Sequence, residues 1–170
     1  MDEDDSERCL LLKTQIKIRS ANIDDIENFV SAYILSYSDE SVKKYSFSKI
    51  SRIKKYFKWL LRKCKENLLV AEVNGKIAGF ICCDTNFFSK KENKRVLEIH
   101  EFFVIPEYRG IGIGKMLLEK SIEIAKNNGI EIIELVVGEE NFRAISFYEK
   151  NNFEAKEKIG RWVRMIKKIK

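Results

Sequence analysis

Proline is almost missing from this 170-residue chain: Pro106 is the only one. No Pro/Gly/Ser-rich linker and no internal repeat breaks the sequence, so a single domain over 14–170 is expected. Histidine is as scarce, with His100 alone, which argues against a cysteine–histidine zinc site. The four cysteines, Cys9, Cys64, Cys82 and Cys83, form no C-x-x-C pair. Cys82 and Cys83, adjacent in a strand, would point to opposite faces, and neither a disulfide nor a bound metal is expected. No apolar run approaches the ~20 residues of a membrane-spanning helix, so no membrane partner is expected. The opening Met-Asp-Glu-Asp-Asp-Ser-Glu has neither the basic and apolar regions of a secretory signal nor the arginine-rich character of a transit peptide. Residues 1–13 read as a flexible acidic tail, and the expected location is cytoplasmic.

What is present is an apolar fraction of 45 %, enough for a substantial core, and a basic excess of 32 Lys and Arg over 26 Asp and Glu. The resulting net charge of +6 favours anionic ligands, although a lysine-rich solvated surface explains much of it. A nucleic-acid partner is not expected. The cationic C-terminal run from Arg161 to Lys170 comes without an interleaved aromatic platform or a recognition helix.

Periodicity predicts the elements. Thr14–Arg19 alternates as a strand; Asn22 can cap a helix with Ile26, Phe29, Val30, Tyr33 and Tyr37 on one face; a second helix is expected at about 48–66. The period then drops to two, and Leu68–Val73 and Ile77–Asp84 flank Asn74-Gly75, a strong hairpin signal because both central residues of the tightest turn need positive φ. A charged link, Ser89–Arg95, leads to a strand at about 96–105. A glycine turn, a helix at about 113–127 and a β-branched strand at 130–137 follow, a βαβ unit whose strands should be parallel. A helix at about 141–151 and two closing strands near 153–159 and 161–169 complete a mixed α+β fold: a mostly antiparallel twisted sheet of six to seven strands, one parallel pair, and helices on both faces.

Arg109-Gly110-Ile111-Gly112-Ile113-Gly114-Lys115 stands between a strand and a helix, where unpaired backbone N–H groups converge at the positive end of the helix dipole. Glycines there let an anion approach the main chain, and Arg109 and Lys115 add charge. Counting excludes two familiar phosphate loops. The Gly110-to-Gly114 interval is one residue short of a Walker A loop and Met116 follows Lys115, while G-x-G-x-G is not the dinucleotide-binding fingerprint.

The segment instead resembles the R/Q-x-x-G-x-G/A signature of the GNAT superfamily of acetyl-CoA-dependent N-acetyltransferases. Asn141-x-x-Ala144-x-x-Phe147-Tyr148-x-x-x-Asn152-Phe153 is similar to that family's N-x-x-A-x-x-F/L-Y-x-x-x-G-F segment, with Asn152 where glycine is common. The resemblance implies acetyl-CoA as co-substrate, its pyrophosphate on the main chain from Gly110 through Ile111, Gly112, Ile113 and Gly114 to Lys115, and its arm along Phe102, Phe103 and Val104. It also implies cofactor contacts from Arg109, Asn141 and Tyr148, with Arg143 another candidate for a phosphate. The thioester carbonyl would be polarised by a backbone N–H at about Val104.

The resemblance further implies direct attack by an amine in a ternary complex, which needs a base and an acid. Glu98 is the first choice as base and Glu101 the second; simple alternation puts them on opposite faces, and a bulge would reverse that. His100 reads as a satisfied sheet histidine, and Val136 stands where some relatives carry a glutamate. Tyr148 would protonate the departing thiolate. The link around Gly160 is short, which favours a small amine, a polyamine or an exposed lysine over a protein N-terminus. Tyr33, Tyr37 and Tyr45, with Asp39 and Glu40, are candidates for a cation-recognising wall. A homodimer is compatible with the pattern, and the alternative function is a non-catalytic acyl-CoA-binding regulatory domain of the same fold.

Overall fold

Seven strands form one sheet in the order β1-β2-β3-β4-β5-β7-β6. The computed structural model describes residues 14–170; the expectations about the acidic segment 1–13 and about Cys9 lie outside the described residues. In chain order the elements are β1 (Ile16–Ser20), a 3₁₀ turn (Ile23–Asp25), α1 (Ile26–Ser36), α2 (Glu40–Lys43), α3 (Ile50–Cys64), β2 (Leu68–Val73), β3 (Lys76–Ser89) and β4 (Lys94–Val104). After a 3₁₀ turn (Pro106–Tyr108) come α4 (Ile113–Asn127), β5 (Ile132–Gly138), α5 (Phe142–Lys150), β6 (Glu154–Ile159) and β7 (Trp162–Lys168). Asn74 and Gly75 take positive φ, 50° and 78°, and close the β2–β3 hairpin as their sequence predicts. Every neighbouring pair is antiparallel except β4 and β5.

The expected charged link at Ser89–Arg95 is corrected. Strand pairing continues through Phe88↔Arg95 and Ser89↔Lys94, leaving only residues 90–93 to turn, with Asn93 at φ 50°. Charged side chains sit comfortably on the wet side of an antiparallel pair, so they do not interrupt it.

The sheet has two apolar faces. Against one pack α4 and α5, with Leu117, Leu118 and Tyr148 over Ile81, Cys83, Leu97 and Ile99. Against the other pack α1 and α3, with Phe29, Phe57 and Leu60 over Val70, Phe80, Cys82 and Phe103. Phe29 meets Phe57 at 4.7 Å and Phe80 edge-on at 5.1 Å between ring centroids, and burying each such ring contributes about 1.5–3 kcal/mol. Cys82 and Cys83 do face opposite sides, but the expectation of no disulfide is overturned: Cys64 and Cys82 are bonded, with their Cα atoms 5.9 Å apart. Sequence spacing hides this pair because it forms only when the last turn of α3 lands on the middle of β3.

Candidate active site

The parallel pair is brief. β4 and β5 meet only at Leu97↔Ile133 and Glu98↔Glu134; beyond that point each runs on, to Val104 and Gly138, without pairing to the other. Two separating strands leave a cleft with main-chain groups on its edges. At the end of β4 the chain turns through Gly110 and Gly112, at φ 82° and 91°, conformations that an L side chain rarely adopts. A Cβ at either position would meet nothing within 4 Å, so the turn opens onto free space. The Met116 N–H donates to the Gly112 carbonyl at 3.0 Å, which leaves the amides of Ile113, Gly114 and Lys115 ahead of the helical ladder at the mouth of α4.

A cavity of about 370 Å³ lies over this turn, lined by Val104, Arg109, Gly110, Gly112, Gly114 and Lys115 on one side and by Asn141, Arg143, Phe147 and Tyr148 on the other. Not every predicted residue reaches it with a side chain. Ile111 is exposed and Ile113 is core, so both offer only main chain, and Phe103 points mainly into the α1–α3 core. The Arg109 guanidinium is turned inward: its Nε donates to the Val104 carbonyl at 2.8 Å and its Nη2 to that of Ser36 at 3.3 Å, bracing the turn against α1. Asn141 caps α5, its Oδ1 accepting from the Ala144 N–H at 3.3 Å.

A second cavity, about 510 Å³, lies on the far side of the splay and shares Tyr37, Phe102, Asn141, Ala144 and Tyr148 with the first. The two spaces meet at those residues. Glu101 lines the second, 8 % exposed, and accepts a hydrogen bond from the Tyr37 hydroxyl at 2.7 Å. Burial pushes its carboxyl up to about 7, with the Tyr37 and Tyr56 hydroxyls pulling the other way. Tyr148 is buried at the junction, and burial raises its phenol above the ordinary tyrosine range.

Glu98 and Glu101 share a sheet face because β4 bulges between them: Cys82 opposes Glu101 and Cys83 opposes Ile99, so His100 is the extra residue. They nevertheless serve different places. Glu98 lines neither cavity. It lies beside Glu134, which accepts from Arg164 at 2.6 Å and from Ser89 at 2.8 Å, and its own Oε2 is buried without a partner. Burial first, and Glu134 second, push the Glu98 carboxyl up to about 9. His100 does line the second cavity, but its Nε2 is hydrogen-bonded with Asp84 at 3.0 Å and burial lowers its pKa.

The tyrosines expected to form a wall, Tyr33, Tyr37 and Tyr45, all line the second cavity. Asp39 and Glu40 do not: Asp39 caps α2 by accepting from the Ser41 N–H at 2.8 Å, and Glu40 pairs with Lys43. The sequence reading missed Phe47, Tyr56, Lys44, Arg161 and Trp162, which also line it. A signal existed in Gly138, where a Cβ would come within 2.3 Å of the Tyr45 ring; that glycine is the socket that seats the tyrosine. Among the described residues no group of His, Cys, Asp and Glu is arranged to hold a metal ion, and no helix is long and apolar enough to cross a membrane.

Residues 30–153 match the model of the Acetyltransferase (GNAT) family. Over 159 residues, 94 % of this chain and 69 % of the relative, the sequence is 45 % identical to an uncharacterized N-acetyltransferase of Methanocaldococcus jannaschii. It is 29 % identical over 165 residues, covering 90 % of this chain and 97 % of the relative, to a spermidine N(1)-acetyltransferase of Thermoplasma acidophilum. Among solved structures, PH1933 from Pyrococcus horikoshii superposes with a TM-score of 0.82 at 35 % identity, covering 92 % of this chain and 99 % of that one. The PaiA N-acetyltransferase of Thermoplasma acidophilum, in complex with coenzyme A, gives 0.74 at 28 % identity, over 91 % and 99 %.

Proposed function

This chain belongs to the GNAT family of acetyltransferases and is an acetyl-CoA-dependent N-acetyltransferase; on that premise we propose that it acetylates a primary amine by direct attack in a ternary complex, with Glu101 as the base. Acetyl-CoA supplies the activated acetyl thioester. The residues present suit it: a turn with positive φ at Gly110 and Gly112, open space above both, and free amides at a helix mouth flanked by the exposed cations Lys115 and Arg143. The main chain from Gly110 to Lys115 holds the pyrophosphate. The edge of β4 from Phe102 to Val104, unpaired where β5 departs, orients the arm, and the Val104 N–H faces the charge that develops on the reacting oxygen. Asn141 adds a polar contact to the same arm.

The observation that carries the assignment of Glu101 is its position in the second cavity, one residue from the Phe102 junction, while Glu98 lines neither space. An amine is charged in water and must lose a proton to attack. A carboxylate titrating at about 7 accepts that proton more readily than an ordinary glutamate. Tyr148, kept protonated by burial, stands at the junction to donate to the departing thiolate. The acceptor is a small amine or a lysine side chain rather than a protein N-terminus, because β6 and β7 are joined by a tight turn at Gly160 and leave the second cavity open. The relative named for spermidine supports a small acceptor.

Thiol release with Glu101→Gln tests the assignment. Turnover should fall about 10²–10⁴-fold while coenzyme A affinity is kept. A base works deprotonated, so wild-type kcat/KM should rise through about pH 7 to a plateau, and that rise should vanish in the variant. Retention of both rate and pH profile by the variant would overturn Glu101 as the base.

A further inference from the structure

Charges around the second cavity are unevenly spread. Its lining contains one carboxylate, Glu101, at the inner end, and two cations, Lys44 and Arg161, beside Tyr45 and Trp162. Lys44 is already neutralised by Glu140. Arg161 is not: no carboxylate among the described residues pairs with it, and its guanidinium rests only over the rings of Tyr45 and Trp162, 5.5 and 5.9 Å from their centroids. The platform under it is fixed. Tyr45 is seated on Gly138, its hydroxyl accepts the Glu140 N–H at 3.2 Å, and its ring meets Trp162 at 5.0 Å.

The Tyr45 and Trp162 faces at the outer end of the cavity are therefore covered by the chain's own cations and not open to an ammonium from the acceptor. Lys44 lies over the Tyr45 ring at 5.5 Å, as Arg161 does. A second positive charge on an acceptor would meet Arg161, and the two carboxylates beside it, Glu139 and Glu140, are already paired with Lys158 and Lys44. An anionic group there would gain a charge-assisted, two-pronged hydrogen bond from a guanidinium held in place by stacking.

We propose that Arg161 is the specificity-determining residue of the acceptor site, selecting a primary amine that carries a carboxylate at its far end and disfavouring di- and polyamines. This rests on the reading of the second cavity as the acceptor site, and it departs from what the relative named for spermidine would suggest. The same chemistry is offered by a free ω-amino acid and by a lysine beside an acidic residue in a peptide.

Thiol release should be followed with chain-length-matched ω-amino acids, amino alcohols and diamines, and with short lysine peptides flanked by glutamate, glutamine or lysine. In the wild type the carboxylate-bearing member of a series should have the highest kcat/KM. Arg161→Ala should cut the carboxylate-over-neutral ratio about ten-fold or more, and Arg161→Glu should turn the preference toward diamines or lysine-flanked peptides. Whichever series carries the larger effect identifies the free or the peptide source. Turnover with no carboxylate preference, or an equal loss on every acceptor in Arg161→Ala, would overturn the role of Arg161 and leave the acceptor site standing. A carboxylate preference that survives Arg161→Glu would also overturn it. No turnover on any member would overturn the acceptor reading and this inference together.

Discussion

Glu98 and Glu101 lie three positions apart on one strand, and single residues separate their fates. The extra residue at His100 rotates Glu101 onto the same face as Glu98, toward α1 and the Tyr37 hydroxyl, and Glu98 remains three residues back, between Asp84 of β3 and Glu134 of β5. Its raised pKa gives a signed prediction. A carboxyl near 4.5 when unfolded and near 9 when folded holds a proton in the native state that the unfolded state has released. Its stabilising share is complete below about 4.5 and is lost as pH climbs toward about 9. Glu98→Gln mimics the neutral acid, so the variant should gain on the wild type between pH 5 and pH 8, by an amount on the order of a few kcal/mol. Urea denaturation at the two pH values checks this, and a variant that loses stability relative to wild type as pH rises would contradict it. Both glutamates were visible in the sequence as candidates, but which of them lines a cavity was not. Alternation cannot foresee a one-residue bulge, and burial depends on where the hairpin folds.

At the scale of elements, the best-read pieces were those whose local chemistry leaves little choice. Asn74-Gly75 dictated a hairpin, and the strand–glycine–helix–strand order dictated a parallel crossover. The short α2 was not foreseen, since its start depends on Asp39 as a cap and its seat on Val42, a single buried residue. The glycine turn carries the element-scale prediction. Gly112 caps α4 at φ 91°, where an added Cβ has space but the wrong backbone preference. Gly112→Ala should therefore cost about 1–2 kcal/mol in the bound geometry, weakening coenzyme A about ten-fold through conformation rather than through a clash. Titration calorimetry reads this directly. Unchanged affinity would mean that the amides at the helix mouth do not depend on that conformation.

Across the whole molecule, one parallel pair in an otherwise antiparallel sheet opens the cleft on which the proposed function rests. Where β4 and β5 part, a cavity lies on either side, and the wall they share at Tyr37, Phe102 and Tyr148 is where donor and acceptor meet in the proposed reaction. The face that carries Glu101 depends on α3 staying docked, because α3 contributes Tyr56 to the lining of the second cavity. The Cys64–Cys82 bond ties that helix to β3 at the residue directly opposite Glu101 in the ladder. Composition and spacing gave no sign of it, as the two cysteines are 18 residues apart and meet only in the finished fold. A loop of that length constrains the unfolded chain by about 3 kcal/mol. For a domain of this size each kcal/mol moves the midpoint roughly 2–4 °C, so reductant should lower Tm by roughly 6–12 °C. Melting the protein with and without a dithiol, alongside a thiol count under denaturing conditions, tests both the bond and its contribution. If the reduced protein melts with the oxidised one, docking of α3 rests on its apolar packing through Ile53, Phe57 and Leu60.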